Sequence, residues 1–203
     1  QIAIANGANL ANYSRRIFIF SPVQCLWSGL GTIGGNPSKI WINSPTEFPW
    51  INPSKVISHE LGHNLGNHHQ GRIDCGTKSI DDYSNCSIYE YNSWYDVMAS
   101  GSGSYNHFNA PHKIVPNWIS PNNIQNVEST GIFIVYNLNE ASNNIQVLKI
   151  PKQDTGEYYF VEYRQAIGFD STLPIDAVNG ILIHLWDEDN YSITKLIDAS
   201  PGT

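Results

Sequence analysis

Residues 58 to 70 read SHELGHNLGNHHQ and carry four of the chain's seven histidines, with one glutamate and two glycines. Imidazoles crowded together in a chain only 14% charged suggest shared work, and the work imidazoles share most often is holding a metal ion. On an α-helix each residue advances about 100°, so with His59 at zero His63 falls near about 40° and Glu60 near about 100°. Ile57, Leu61 and Leu65 fall on the opposite side and can pack into a core. One turn between His59 and His63 lets both rings reach a single ion. A straight helix cannot offer a third ligand at a tetrahedral angle, so the chain must turn. Gly66 supplies the residue able to take positive φ, and His69 follows three positions later. The string is His-Glu-x-x-His-x-x-Gly-x-x-His, and His68 is out of register by one. Three protein ligands leave a coordination position for water, and a non-ligating glutamate beside it is placed as a general base. A closed structural zinc site would use four ligands, usually thiolates, and no cysteine stands near the string.

The elements that must position these side chains are partly legible. NPSKVISHELGHNLG carries ordered helix signals: Asn52 to cap, Pro53 at the first helical position and Gly66 as the stop. RRIFIFSP reads as a short buried strand ended by Pro22. SGLGTIGGNP is a glycine-rich turn region that lacks the spacing of a phosphate loop. SKIWINS alternates Ile40 and Ile42 against Trp41, as an exposed or edge strand would. Residues 70 to 107 read as a long ordered loop, and NAPHKIVPNWIS as a short helix capped by Asn109 and interrupted by Pro116. From about residue 125 short β-branched runs recur between turn residues, GIFIVYNL, NIQVLKI, YYFVEYR, GILIHLW and YSITKLI, as in an all-β unit.

Bulk properties narrow the classes. With 203 residues, 41% of them apolar, the chain can bury a core without a disulfide framework. A net charge of -7 excludes nucleic acid or an anionic membrane surface as the expected partner, and no apolar run is long enough to span a membrane. The chain opens QIAIANGANL and closes LIDASPGT, and both ends are expected to be trimmed from something longer. Cys75 and Cys86 bracket a ten-residue loop suited to one bridge, leaving Cys25 over; three buried free thiols are the competing reading. The Asn/Ser/Gly/Tyr-rich, Lys-poor texture leans towards a secreted protein. The triplets at Asn12, Asn85 and Asn190 fit glycosylation acceptors but decide nothing.

The elongated histidine string resembles that of the metzincin zinc peptidases, whose second hallmark is a methionine turn. The chain's only methionine, Met98 in YDVMAS, stands 29 residues after His69. Gln70 after the third histidine, and the lack of a tyrosine two places beyond Met98, depart from the astacin, serralysin and adamalysin patterns. CLWSGLGTIGG, SHELGHNLGNHHQ, YDVMAS and FNAPHKIVPNW resemble the gametolysin family most. YYFVEYRQ and GILIHL are similar to that family and to the neighbouring immune-inhibitor-A-type peptidases. The resemblance implies an α+β fold: a metzincin-like zincin catalytic domain over residues 1–122, with active-site helix and Met-turn, then a β-rich C-terminal subdomain over 123–203.

The resemblance also implies one catalytic Zn²⁺ on His59, His63 and His69, Glu60 as general base, and a secreted endopeptidase acting on extracellular or cell-wall polypeptides, expected as a monomer. Ile40, Trp41 and Ile42 are expected to pair with an extended substrate, and residues 100 to 107 to line a side-chain pocket. Tyr95 and Tyr105 are candidates for an assisting phenol, and Asp96 for orienting a histidine or anchoring the turn. His107, His112 and His184 are expected to be structural, and Glu162 with Arg164 to form a cross-strand ion pair. DEDN at 187–190 could take Ca²⁺ but fits a solvated turn better. Two other classes compete: a catalytically idle zinc-holding adhesion or matrix-binding module, and a metal-dependent hydrolase of a different bond. Intact Glu60 speaks against the first.

Overall fold

The computed structural model describes residues 2–21, 23–24, 27–43, 53–99, 106–190 and 192–201. Asn52, Pro22, Cys25, Tyr105 and pocket residues 100–105 lie outside them. The chain divides into two compact units, Gln1–Asn67 and His68–Thr203. The division falls within the histidine string. The reason is strand pairing: two strands from residues 70–90 join the same sheet as those of the C-terminal region.

The first unit runs α1 (Ile2–Ala5), β1 (Arg15–Phe20), β2 (Gly29–Gly31), β3 (Ser38–Asn43) and α2 (Pro53–Asn64). Its sheet has the order β1-β3-β2, with β1 parallel and β2 antiparallel to β3. This corrects the reading of Ile40, Trp41 and Ile42 as an edge. Their strand is the middle one, paired to Ile17, Phe18 and Ile19 on one side and to Gly31, Leu30 and Gly29 on the other. Alternation of Ile and Trp reports which face is buried, and Ile40 and Ile42 are indeed buried, but it carries no information about lateral neighbours. β1, expected to be buried, leaves Ile17, Phe18 and Ile19 exposed, since an outer strand packs along one side only.

Helix α2 begins with Pro53 at its first position, where a missing N–H costs nothing. It ends at Gly66, whose φ of +103° lets the Gly66 N–H reach His63 O and the Asn67 N–H reach Gly62 O, at 2.9 and 3.1 Å. Those bonds form a Schellman stop. The expected wheel inverts in one respect. Glu60, His63 and Asn64 are buried while Ile57 and Leu61 are only half-buried. The polar stripe is the one that faces β2 and β3, and hydrogen bonds secure it there. Asn64 Nδ2 donates to Thr32 O and Lys39 O at 2.9 and 3.0 Å, and the Arg15 guanidinium donates to Asn64 O at the helix C-terminus.

The second unit holds a seven-stranded mixed sheet, order β5-β4-β10-β9-β8-β7-β6. Its strands are β4 (Gln70–Asp74), β5 (Ser87–Glu90), β6 (Ile124–Asn126), β7 (Val147–Pro151), β8 (Tyr158–Tyr163), β9 (Ile181–Trp186) and β10 (Thr194–Ile197). Two short helices accompany them, α3 (Ala110–Ile114) and α4 (Ile175–Val178). The expected long loop over 70–107 thus contains a hairpin, β4–β5, cross-linked by the Cys75–Cys86 disulfide. Four of the five expected C-terminal strands form. GIFIVYNL does not: residues 131–136 have no regular structure and expose Ile132 and Ile134, because an apolar run without paired neighbours gains nothing from being extended. The core gathers Ala110, Ile119, Leu138, Val147, Phe160 and Trp186 between α3 and the sheet, with a smaller cluster of Ile73, Leu185 and Ile197.

Candidate metal centre

The local folding of α2 and its stop sets the geometry. His59 and His63, one turn apart, place their rings edge to face with centroids 4.9 Å apart. The turn at Gly66 carries the chain back, and His63 Nδ1 hydrogen-bonds Asn67 O at 2.8 Å. A ring whose Nδ1–H is held by a carbonyl offers its Nε2 lone pair outward. His69 is held in the same fashion, its Nδ1 at 2.6 Å from Glu90 Oε1. The His69 backbone is pinned by β10, since its carbonyl accepts the Thr194 N–H at 3.1 Å. The ligand atoms of His59, His63 and His69 lie within 4.8 Å of one another. Donor nitrogens on a tetrahedral zinc stand about 3.3 Å apart at Zn–N distances of about 2.0–2.1 Å, so the set must draw together by up to about 1.5 Å to hold the ion. Imidazole donors, two of them oriented by oxygen acceptors on their far nitrogens, fit Zn²⁺.

Glu60 is 7% exposed. Burial pushes its carboxyl up to about 7, and the Gly31 N–H beside it works in the opposite direction. The close fit of β2 over this carboxylate depends on two glycines. A Cβ at Gly29 would come within 2.5 Å of Glu60 Oε1, and one at Gly31 within 2.7 Å of the Glu60 backbone carbonyl. The sequence holds a faint signal of this in SGLG, where glycines two apart in a strand mark one face approached closely by another element.

Met98 is fully buried in a turn whose amides are tied on both sides: the Met98 N–H donates to Asp96 Oδ1 at 2.6 Å and the Met98 carbonyl accepts from the Gln70 N–H at 3.0 Å. Asp96 does both things weighed for it. Besides anchoring the turn, it accepts from the Asn109 N–H and holds His112 Nδ1 at 2.9 Å. Burial pushes the Asp96 carboxyl up, but His112 and the two backbone donors outweigh it and hold the carboxyl below the usual range. His112 lies outside the three-imidazole group. His184 faces Glu162 at 3.3 Å in the sheet interior, and the His107 N–H donates to Asp170. His68 is half-buried, and burial, with His69 and His112 nearby, lowers its pKa.

Glu162 and Arg164 lie two apart on one stretch of chain, not across strands, and are fully buried, with the guanidinium Nη2 2.6 Å from Glu162 Oε1. Asp187 Oδ1 accepts from the amides of Asp189 and Asn190, closing DEDN as a capped turn. Tyr95, half-buried, packs against the cluster of Leu173, Ala177 and Leu182. A cavity of about 420 Å³ lined by His107, Lys113, Trp118 and Gln146 shares no residue with the three imidazoles. Sequence reasoning missed Glu90 and Tyr91, which approach His69 from 21 and 22 positions away. No spacing rule connects them; only the β4–β5 pairing does.

His59, His63 and His69 converge, with the buried carboxylate of Glu60 on the helix that carries the first two. The family model described as Gametolysin peptidase M11 matches residues 2–198, and the chain belongs to that family. No curated protein and no solved structure matches the chain.

Proposed function

We propose that the chain is a secreted, metzincin-type zinc endopeptidase that cleaves extracellular or cell-wall polypeptides. The observation that carries this is the convergence of His59, His63 and His69 with Glu60 placed between two of them on α2. His59, His63 and His69 would hold a zinc ion, which would supply Lewis acidity for polarising a peptide carbonyl and for lowering the pKa of a bound water. Glu60 takes the proton of the attacking water on a carboxylate oxygen and delivers it to the departing amine. Asn67 O and Glu90 fix the tautomers of His63 and His69, and Met98 with Asp96 supports the chain from which His69 emerges.

With β3 enclosed between two neighbours, the edge strand that lies over Glu60 is β2, Gly29–Gly31, and it is the one suited to pair with an extended substrate. Backbone pairing there gives affinity with little side-chain preference. The Cys75–Cys86 bridge supports an oxidising, extracellular setting. The test is digestion of a proteome-derived peptide mixture by the zinc-loaded chain. New termini that vanish with a chelator and return with zinc are expected; a mixture left intact under zinc saturation contradicts the proposal.

A further inference from the structure

The third imidazole is bracketed by two consecutive residues. Glu90 takes His69 Nδ1, and Tyr91 brings its hydroxyl to within 2.9 Å of His69 Nε2, with the two rings tilted at a centroid distance of 4.0 Å. Neighbouring side chains on an extended strand point to opposite faces, so both can reach one ring only if the backbone turns between them. It does: Tyr91 has a φ of +61°, a left-handed conformation that is uncommon outside glycine and that concentrates at functional sites. That turn aims a phenol at His69 Nε2. With Nδ1 committed to Glu90, Nε2 is the atom His69 contributes to the three-imidazole cluster.

We propose that Tyr91 is a catalytic residue whose hydroxyl donates a hydrogen bond to the scissile carbonyl oxygen as that oxygen gains negative charge. The proposal rests on the peptidase reading above. Zinc on Nε2 would take the lone pair to which the Tyr91 O–H hydrogen-bonds and leave that hydroxyl beside the ion, free to donate to a carbonyl oxygen presented there. The O–H keeps its proton throughout; it contributes a fixed dipole where charge develops, a contribution larger in the transition state than with bound substrate. Tyr91 is 39% exposed, so it can meet a polypeptide from solvent without the protein opening. This also fills a gap left by the sequence, which offered Tyr95 and Tyr105. Tyr95 packs against Leu173, Ala177 and Leu182, and Tyr105 lies outside the described residues.

The test compares zinc-loaded wild type with Tyr91→Phe, with Tyr91→Asn, which tolerates the left-handed backbone, and with Tyr89→Phe as a neighbouring control. Five quantities are read: zinc per chain, kcat and KM on a cleaved peptide, and the inhibition constants of a phosphinic peptide and of a product peptide. Tyr91→Phe and Tyr91→Asn are expected to keep zinc and KM, to lose about 10²-fold in kcat, and to bind the tetrahedral phosphinic group more weakly by a similar factor. The product peptide should bind as before, and Tyr89→Phe should match wild type throughout. An unchanged kcat and phosphinic affinity overturns the proposal. So does weaker zinc binding with kcat restored at saturating zinc, which would make Tyr91 only a support for His69. A wild type that neither cleaves peptide nor binds the phosphinic probe overturns the peptidase reading and this inference together.

Discussion

Replacing Glu60 with Gln is expected to lower peptide hydrolysis by about 10²–10⁴-fold, the span of positioned acid–base catalysis, while zinc stays bound at one ion per chain. The change keeps the shape of a side chain that is only 7% exposed and lies within a few ångströms of β2, so packing is preserved and only proton transfer is lost. Both halves of the result matter. Loss of activity with loss of zinc would mean that Glu60 holds the site together, and retained activity would mean that another group moves the proton. Initial rates on a fluorogenic peptide, with zinc measured on the same sample, separate the three outcomes. The idle-module reading also meets its test here, since it expects wild type and variant to be equally inert.

The second large effect is expected in the interior of the C-terminal sheet. Arg164 is completely buried. Its Nε donates to Glu162 Oε1 at 2.7 Å and its Nη1 to Tyr95 O at 2.6 Å, and Asp170 lies 3.5 Å away. Arg164→Met would strand a buried carboxylate, at a cost of about 3–5 kcal/mol, read as a shift in the urea midpoint at pH 7. The pH dependence has a definite sign. Burial alone would raise the Glu162 carboxyl, but Arg164 and His184 outweigh it and bring it down from 4.5 to about 2. A depressed folded value stabilises fully above 4.5 and loses its contribution as pH falls towards 2. The stability gap between wild type and Arg164→Met should therefore narrow across that window. A gap under about 1 kcal/mol at pH 7, unchanged on acidification, would show that the charges are screened by water and not buried as described.

How far the sequence reached depended on the range of the interactions involved. The histidine helix, its Pro53 start and its Gly66 stop were legible because each is set within a few residues by backbone chemistry. Asn109 capping α3 belongs to the same kind. Strands β7 to β10 were legible because β-branched runs bounded by turns have little choice in a sheet of this size. What escaped was lateral. Nothing in SKIWINS tells whether one neighbour or two will pair with it, and the answer placed β3 between β1 and β2. Likewise GRID and SIYE are short, polar and aperiodic, and become strands only through pairing with each other and with β10. The boundary between units followed the same rule, since the parallel pairing of β4 with β10 joins residues more than a hundred positions apart. The wheel of α2 erred on sign: hydrophobicity placed the apolar side inwards, whereas hydrogen bonds from Asn64 and the fit of Glu60 against Gly29 and Gly31 turned the polar side in.

The most direct test of the central claim is the zinc-edge X-ray absorption spectrum of the zinc-loaded chain. Three imidazole nitrogens at about 2.0–2.1 Å with one further light donor is the result expected of a centre built by His59, His63 and His69. A sulfur shell, a fourth imidazole, or a spectrum unchanged by His69→Ala would contradict it.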